Sequence, residues 1–156
     1  PVYTAQVDMT AMCKKVAAQM TLLAAEKRLQ LEQAIQDNLI MLGDEMALSR
    51  LLIILLDNAM KYSPEQTQIT LRAAKVKNYL VLEVCDEGCG ISDEDKQKIF
   101  DRFFRVDKAR SRSQGGLGLG LSLALAIVRQ HGGSIKVLDN KPRGTIIYVK
   151  LPMAAK

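Results

Sequence analysis

The chain has 156 residues, of which 48% are hydrophobic and 25% charged, and its formal net charge is +5. This balance is typical of one globular domain and excludes a disordered chain. The sequence contains no signal peptide and no apolar run long enough to span a bilayer, so we expect a soluble, cytoplasmic domain over residues 1–156.

The cysteine, histidine and aromatic residues limit the kinds of ligand. Cys13, Cys85 and Cys89 form no C-x-x-C pair, and His131 is the single histidine, so neither a disulfide framework nor a zinc site is expected. Any metal should be a hard, oxygen-bound ion such as Mg²⁺. Basic residues are spread along the chain and only 4% of residues are aromatic, which favours a nucleotide over nucleic acid as the anionic partner.

The first half of the chain predicts two helices separated by two strands. Apolar residues at helical spacing predict a helix over Thr10–Arg28, and the following pattern predicts strands over Leu29–Ile35 and Asn38–Leu42. Asp44 can cap a second helix that reaches about Tyr62. Because this helix is apolar on nearly every side, we expect it at the centre of the fold.

The second half predicts two pairs of strands and two helices. His131 follows the last helix, where the helix dipole and free carbonyl groups favour a structural role. The predicted elements are strands over Gln68–Val76 and Tyr79–Asp86, a helix over Asp93–Phe100 capped by Ser92 or Asp93, a helix over Leu121–Gln130, and strands over Ser134–Leu138 and Thr145–Leu151.

Four glycines are crowded into Gln114–Leu125, QGGLGLGLSLAL, at the start of a predicted helix. Glycine costs a helix roughly 1 kcal/mol relative to alanine, so the crowding indicates a close approach of the backbone to another group. A glycine-rich turn entering a helix exposes N–H groups that can bind phosphate. A flexible loop with a helix behind it explains this stretch equally well.

The end of the central helix, LLDNAMKYSP, carries three polar exceptions, Asp57, Asn58 and Lys61. Asn58 and Lys61 are three residues apart and therefore share a helix face. An amide oxygen can bind a hard cation, and a lysine beside it can bind phosphate. The alternative is a polar helix end that leaves the core.

Asp86 lies at the end of a strand and opens the segment DEGCGIS, in which Gly88 and Gly90 allow a tight turn. Its carboxylate can accept a hydrogen bond from the exocyclic amine of adenine. Guanine presents an acceptor instead, which leaves the pair unmatched at a cost of roughly 1–3 kcal/mol. The alternative is an aspartate that only forms the turn.

All three phenylalanines, Phe100, Phe103 and Phe104, lie in the segment IFDRFFRVDKARSRSQ. They can serve simply as a hydrophobic anchor for a loop. Alternatively, the loop is a lid fixed by this aromatic base, and basic residues such as Arg105 and Arg110 reach anionic groups of a ligand.

In this order the motifs resemble those of the catalytic ATP-binding domain of sensor histidine kinases. LLDNAMKYSP is similar to the N box, DEGCGIS to the first glycine box, IFDRFFRVD to the phenylalanine box and GGLGLGLSLA to the second glycine box, and the resemblance extends from about Val7 to Pro152. It implies an α/β two-layer sandwich with a mixed, mainly antiparallel sheet. About three helices would pack on one face, and a lid loop would cover ATP and Mg²⁺.

The resemblance also implies roles for individual residues. Asn58 resembles the Mg²⁺ ligand and Asp86 the carboxylate that reads adenine, and the catalytic set is Asn58, Lys61, Arg105 and Arg110. The implied nucleotide-binding residues are Asn58, Lys61, Tyr62, Asp86, Gly88, Gly90, Ile91, Gly116, Leu117, Gly118, Leu119 and Gly120.

Three features depart from the family pattern. Ile54 stands one turn before Asn58, where the family usually has a second Asn and gyrase-type ATPases a general-base Glu, and its side chain cannot take a proton. Leu117 stands where Thr is frequent. No histidine precedes His131, so the phospho-acceptor must come from elsewhere.

We therefore expect the excised, monomeric catalytic domain of a membrane-bound sensor. It would bind Mg-ATP and donate the γ-phosphate to a histidine of a separate dimerisation domain, with a response regulator as the indirect partner. An ATP-binding module without phosphotransfer and an anti-sigma-type serine kinase are the alternatives.

Overall fold

The computed structural model describes residues 5–101 and 120–153 of the chain. In these two ranges it contains seven strands and four helices. Their bounds are β1 Gln6–Asp8, α1 Met9–Glu26, β2 Gln30–Ile35, β3 Ile40–Leu42, α2 Glu45–Tyr62, β4 Gln68–Val76, β5 Tyr79–Cys85, α3 Asp93–Lys96, α4 Gly120–Gln130, β6 Ser134–Asp139 and β7 Thr145–Pro152.

Five strands form the main sheet, in the order β2-β4-β5-β7-β6. The β2–β4 pair is parallel, and the other three pairs are antiparallel. A separate small sheet pairs β1 with β3 in antiparallel orientation. The mixed, mainly antiparallel sheet that the resemblance implies is therefore confirmed.

One face of the main sheet is apolar and packs against the helices. In register across three strands, Ala73 pairs with Leu82 and Leu82 with Val149, and all three side chains are buried. Helix α1 contacts β2 and β4, α2 contacts β4 and β5, and α4 contacts β6. Alternate residues of β4 and β7 are buried on the side of the helical layer, which gives a two-layer sandwich.

Helix α2 is the central helix, as predicted. It begins after Asp44, whose carboxylate accepts a hydrogen bond from the N–H of Ala47 at 3.2 Å, a cap worth about 1 kcal/mol. The helix packs against α1 as well as α4. Within the described ranges, no helix is both long and apolar enough to cross a membrane. Five leucines of α2 are fully buried, namely Leu48, Leu51, Leu52, Leu55 and Leu56.

Several elements differ from the predictions in their bounds, and three of the differences have a physical reason. Strand β1 was not predicted, because three residues are too few to show a period. Helix α3 ends at Lys96 rather than Phe100, since the N–H of Lys98 bonds to the carbonyl of Asp95 at 2.8 Å and the backbone continues as turns. Strand β3 starts at Ile40 because Asn38 adopts a positive φ of 60°.

His131 connects the end of α4 to the start of α2. Its Nε2 accepts a hydrogen bond from the N–H of Asp44 at 3.1 Å, and its Nδ1 lies 2.8 Å from the carbonyl oxygen of Ile127. These partners assign the proton to Nδ1. A Cβ at Gly43 would lie 3.1 Å from the ring, so the backbone passes close to it. The contacts support the structural role predicted for His131.

Candidate functional site

The polar end of α2 forms the first wall of the site. Asn58 is half-buried, and among the described residues none forms a hydrogen bond with its side chain. One turn later, the ammonium group of Lys61 lies 3.2 Å from the carboxylate of Asp57. The amide of Asn58 is thus available to a ligand near the end of α2.

Asp86 forms the second wall, immediately after β5. Its side chain is buried, and Oδ1 accepts hydrogen bonds from the N–H groups of Gly88 at 2.9 Å and Thr145 at 3.1 Å. In the part of the chain that the structure describes, no donor reaches Oδ2. Burial raises the pKa of the Asp86 carboxyl, while the two main-chain hydrogen bonds oppose that rise. Asp86 therefore presents one acceptor oxygen that has no partner among the described residues.

The loop over Asp86–Gly90, here called the aspartate loop, lies against the end of α2. A Cβ at Gly88 would lie 2.7 Å from the carbonyl oxygen of Tyr62, so only glycine allows this approach. Gly90 has a positive φ of 81°, which glycine adopts at no steric cost. Ile91 follows, half-buried against the core. The two walls therefore meet within one turn of Asn58.

The first residue of α4 lies beside α2 on the other side of Asn58. A Cβ at Gly120 would be 3.5 Å from Cγ2 of Ile54, an ordinary contact distance. Since Ile54 is one turn before Asn58 and Tyr62 one turn after it, the helix brings Gly120 and the aspartate loop to either side of the amide.

The turn over residues 140–144, here called the 140s turn, supports the aspartate loop and was not predicted as part of the site. The side-chain amide of Asn140 donates to the carbonyl oxygen of Asp86 at 2.7 Å, and Nε of Arg143 donates to that of Gly88 at 3.0 Å. The sequence prediction treated this segment only as a turn. Its contacts cross more than fifty residues, so local pattern carried no signal for them.

Thr145 also contacts Asp86 and was not predicted as a site residue. Besides its N–H bond to the carboxylate of Asp86, its carbonyl accepts the N–H of Asp86 at 2.9 Å. This exchange depends on the pairing of β5 with β7. Only the register of the sheet reveals it.

The predicted site residues divide into two groups. In the described group, Tyr62 contacts the aspartate loop at Gly88, and Asn58 and Lys61 precede it in the last turns of α2. The lid and most of the glycine stretch lie outside the described residues. The predictions that remain outside are those for Arg105, Arg110, Gly116, Leu117, Gly118 and Leu119.

Comparisons with known proteins show which kind of domain this chain resembles. Sensor protein CiaH of Streptococcus pneumoniae is 54% identical over 108 residues, which are 69% of this chain and 24% of CiaH. The signal transduction histidine-protein kinase ArlS of Staphylococcus aureus is 47% identical over 100 residues, 64% of this chain and 22% of ArlS. The structure of the mycobacterial sensor histidine kinase MprB superposes with a TM-score of 0.83 at 28% identity, covering 99% of this chain and 100% of that one.

The fold is thus that of a histidine kinase catalytic domain. Residues 43–155 match a family model, and the chain belongs to the histidine kinase-, DNA gyrase B-, and HSP90-like ATPase family. The resemblance to sensor histidine kinases and the assignment as an ATP-binding domain are therefore confirmed. The matched region spans about a quarter of the length of CiaH and ArlS.

Proposed function

We propose that this domain binds ATP with Mg²⁺ between α2 and the aspartate loop and donates the γ-phosphate to a histidine of a separate dimerisation domain. The observation that carries the proposal is the buried carboxylate of Asp86, whose Oδ2 has no donor among the described residues and whose loop lies against the end of α2 at Gly88. A buried polar atom left unpaired costs about 1–3 kcal/mol. A ligand that brings a donor removes this cost.

Adenine supplies such a donor through its exocyclic amine. Guanine carries an oxygen at the equivalent place, which would oppose the carboxylate oxygen. Oδ1 of Asp86 cannot adapt, because two main-chain N–H groups hold it. The pocket should therefore prefer ATP to GTP by a factor that corresponds to about 1–3 kcal/mol.

The phosphate groups of ATP, with their Mg²⁺ ion, would bind at the end of α2. An amide oxygen suits Mg²⁺, which usually takes one or two protein ligands and completes its shell with phosphate oxygens and water. The described residues contain no cluster of three or more His, Cys, Asp or Glu that would hold a metal alone. Asn58 would hold the ion, and a bound Mg²⁺ ion neutralises phosphate charge. Lys61 and Tyr62 would lie beside the nucleotide.

The remaining assignments follow the motifs. Arg105 and Arg110 would contact the terminal phosphate from the lid. The glycine stretch, Gly116 to Gly120 with Leu117 and Leu119, would enclose the phosphates through its N–H groups. These residues position and stabilise the group in transfer and do no covalent chemistry.

Ile54 favours transfer to a protein over hydrolysis. Gyrase-type ATPases place a general-base Glu at this position, whereas an isoleucine cannot remove a proton from water. The side chain packs instead beside Gly120. The nucleophile must then come from a partner, which for this domain is a histidine of the dimerisation domain.

The biological setting is proposed from the relatives that carry the names sensor protein and signal transduction histidine-protein kinase. Residues 1–156 would be one catalytic domain, monomeric in isolation, on the cytoplasmic side of a membrane-bound sensor. A response regulator would then accept the phosphoryl group from the dimerisation domain.

Transfer of label tests the proposal. The domain is mixed with γ-labelled ATP, Mg²⁺ and the separately produced dimerisation domain of the same parent protein. The control is the dimerisation domain with its acceptor histidine changed to Gln. Label should appear on the first partner and not on the second. Binding of ATP without any transfer would favour a binding-only module, and label on serine would favour a kinase of the anti-sigma type.

A further inference from the structure

The 140s turn reaches the aspartate loop through two side-chain donors. Asn140 donates to the carbonyl of Asp86 at 2.7 Å, and Arg143 donates to the carbonyl of Gly88 at 3.0 Å. Both acceptors are main-chain groups of the loop that carries the pocket carboxylate. The two bonds therefore act on the backbone that orients Asp86.

The turn is itself held in place. The N–H of Asn140 donates to the carbonyl of Gly144 at 3.0 Å, and Oδ1 of Asn140 accepts the N–H of Lys141 at 2.9 Å. The Asn140 side chain is thus fixed by the turn on one side and by Asp86 on the other. Gly144 has a φ of 108°, and a Cβ there would overlap the carbonyl oxygen of Asp86. The close approach is a built feature of the turn.

Other elements hold the opposite side of the loop. Gly88 lies against the carbonyl of Tyr62, and the carboxylate of Glu87 accepts the N–H of Gln68 at 2.6 Å. These contacts leave the carbonyls of Asp86 and Gly88 to the 140s turn. Removal of the turn's donors would allow the loop to move away from that side while α2 and β4 still hold the other.

We propose that Asn140 and Arg143 are positioning residues for recognition of the nucleotide base, because they fix the aspartate loop with the free oxygen of Asp86 facing the base. This inference rests on the proposed function. Its effect falls on the discrimination between adenine and guanine, since phosphate groups are assigned to other elements. A residue that only stabilises the fold would weaken both nucleotides alike.

Three variants, each of which lowers the net charge by one, distinguish the effect of a lost hydrogen bond from the effect of a lost charge. Asn140→Asp keeps the acceptor for the N–H of Lys141 and places an oxygen where the donor to Asp86 stood. Arg143→Ala removes the guanidinium group. Lys141→Ala is the matched control, because its ammonium group forms no hydrogen bond or ion pair with any described residue.

Calorimetric titration of each variant with ATP and with GTP tests this inference. The melting temperature of each variant verifies that it is folded. Asn140→Asp and Arg143→Ala should lower the preference for ATP by about fivefold or more, while Lys141→Ala leaves it within about twofold of wild type. Should Asn140→Asp fail to fold, the exposed Arg143 supplies the deciding variant.

Two results would overturn the inference. One is an ATP preference in Arg143→Ala and Asn140→Asp equal to that of wild type. The other is an equal loss of affinity for both nucleotides. A wild-type protein that shows no preference for ATP would contradict the proposed function itself. If the wild type prefers ATP and one of the two results above is found, only the inference about Asn140 and Arg143 fails.

Discussion

The two carboxylate oxygens of Asp86 differ in their hydrogen-bond partners. Oδ1 accepts hydrogen bonds from the N–H groups of Gly88 and Thr145, and Oδ2 has no donor among the described residues. The first oxygen fixes the orientation of the second, so the proposed recognition of the base would require no rearrangement of the side chain. Burial of a charged group without full pairing is unfavourable for the isolated domain. Function and stability therefore oppose each other at this residue.

This opposition predicts a pH dependence of stability. Because burial raises the pKa of Asp86 in the folded protein above the ordinary value of about 3.9, the folded state binds more protons between the two values. Stability should fall as the pH rises through that window. Asp86→Asn removes the charge and should melt at a higher temperature than wild type at neutral pH, without nucleotide.

The measurement is the difference in melting temperature between the variant and wild type, from about pH 4 to pH 7. The difference should be smallest in acid, where wild-type Asp86 is protonated. A difference that does not change with pH would show that ionisation of Asp86 does not affect stability.

Asn58 provides the second prediction at this scale. Asn58→Ala should reduce the gain in ATP affinity that Mg²⁺ provides by about tenfold, because the amide oxygen would be a metal ligand. The free energy of unfolding should change by less than about 0.5 kcal/mol, since the half-buried side chain has no described hydrogen-bond partner.

Titration of the variant with ATP, with and without Mg²⁺, checks this prediction, and the metal-free titration is its internal control. Equal Mg²⁺ effects in the variant and wild type would remove Asn58 from the metal site. A large loss of stability would instead assign it a structural role.

The chemistry of single residues was readable from the sequence where it depends on neighbours in the chain. Asp86 and Gly88 are two residues apart, and the spacing alone predicted a carboxylate in a tight turn. Asn140 and Arg143 act on the same loop from more than fifty residues away. Their role depends on the register of β5, β7 and β6, which no local pattern specifies.

Among the elements, α2 and α4 form the frame of the site. Helix α2 carries Asn58 near its end, and α4 starts beside Ile54 and ends at Gln130, immediately before His131. His131 accepts the N–H of Asp44 at the beginning of α2. The two helices are therefore antiparallel and are tied together at the end remote from Asn58.

His131→Ala tests this tie. The substitution removes the acceptor for the N–H of Asp44 and leaves a cavity, so the protein should lose about 2–4 kcal/mol of unfolding free energy. Urea unfolding measures the loss, and Gln130→Ala, at an exposed neighbouring position, should change it by less than about 0.5 kcal/mol. Unchanged stability in His131→Ala together with lost phosphotransfer would instead assign the ring to catalysis.

Most elements were predictable because their apolar periods are long. The 18 residues of α2 and the nine of β4 show clear periodicity, and Asp44 marks the helix start. The three residues of β1 show none. Local sequence patterns also could not predict the parallel pairing of β2 with β4, because helix α2 lies between these strands in the sequence.

At the scale of the whole molecule, the central position of α2 explains how distant motifs meet. The helix contacts α1 and α4 on its flanks and two strands beneath, and its last turn meets the aspartate loop. The aspartate loop and the start of α4 thereby contact α2 one turn after and one turn before Asn58. The order of the motifs along the chain predicted the family, and the two-layer sandwich follows from it.

The central claim is that this domain recognises an adenine nucleotide through Asp86 and Mg²⁺ through Asn58. The most direct measurement is calorimetric titration of wild type and Asp86→Asn with ATP and GTP, each with and without Mg²⁺. Wild type should prefer ATP by about tenfold or more and bind it more tightly with Mg²⁺, and Asp86→Asn should lose most of that preference. Equal affinity of wild type for ATP and GTP, or a preference that Asp86→Asn retains, would contradict the account.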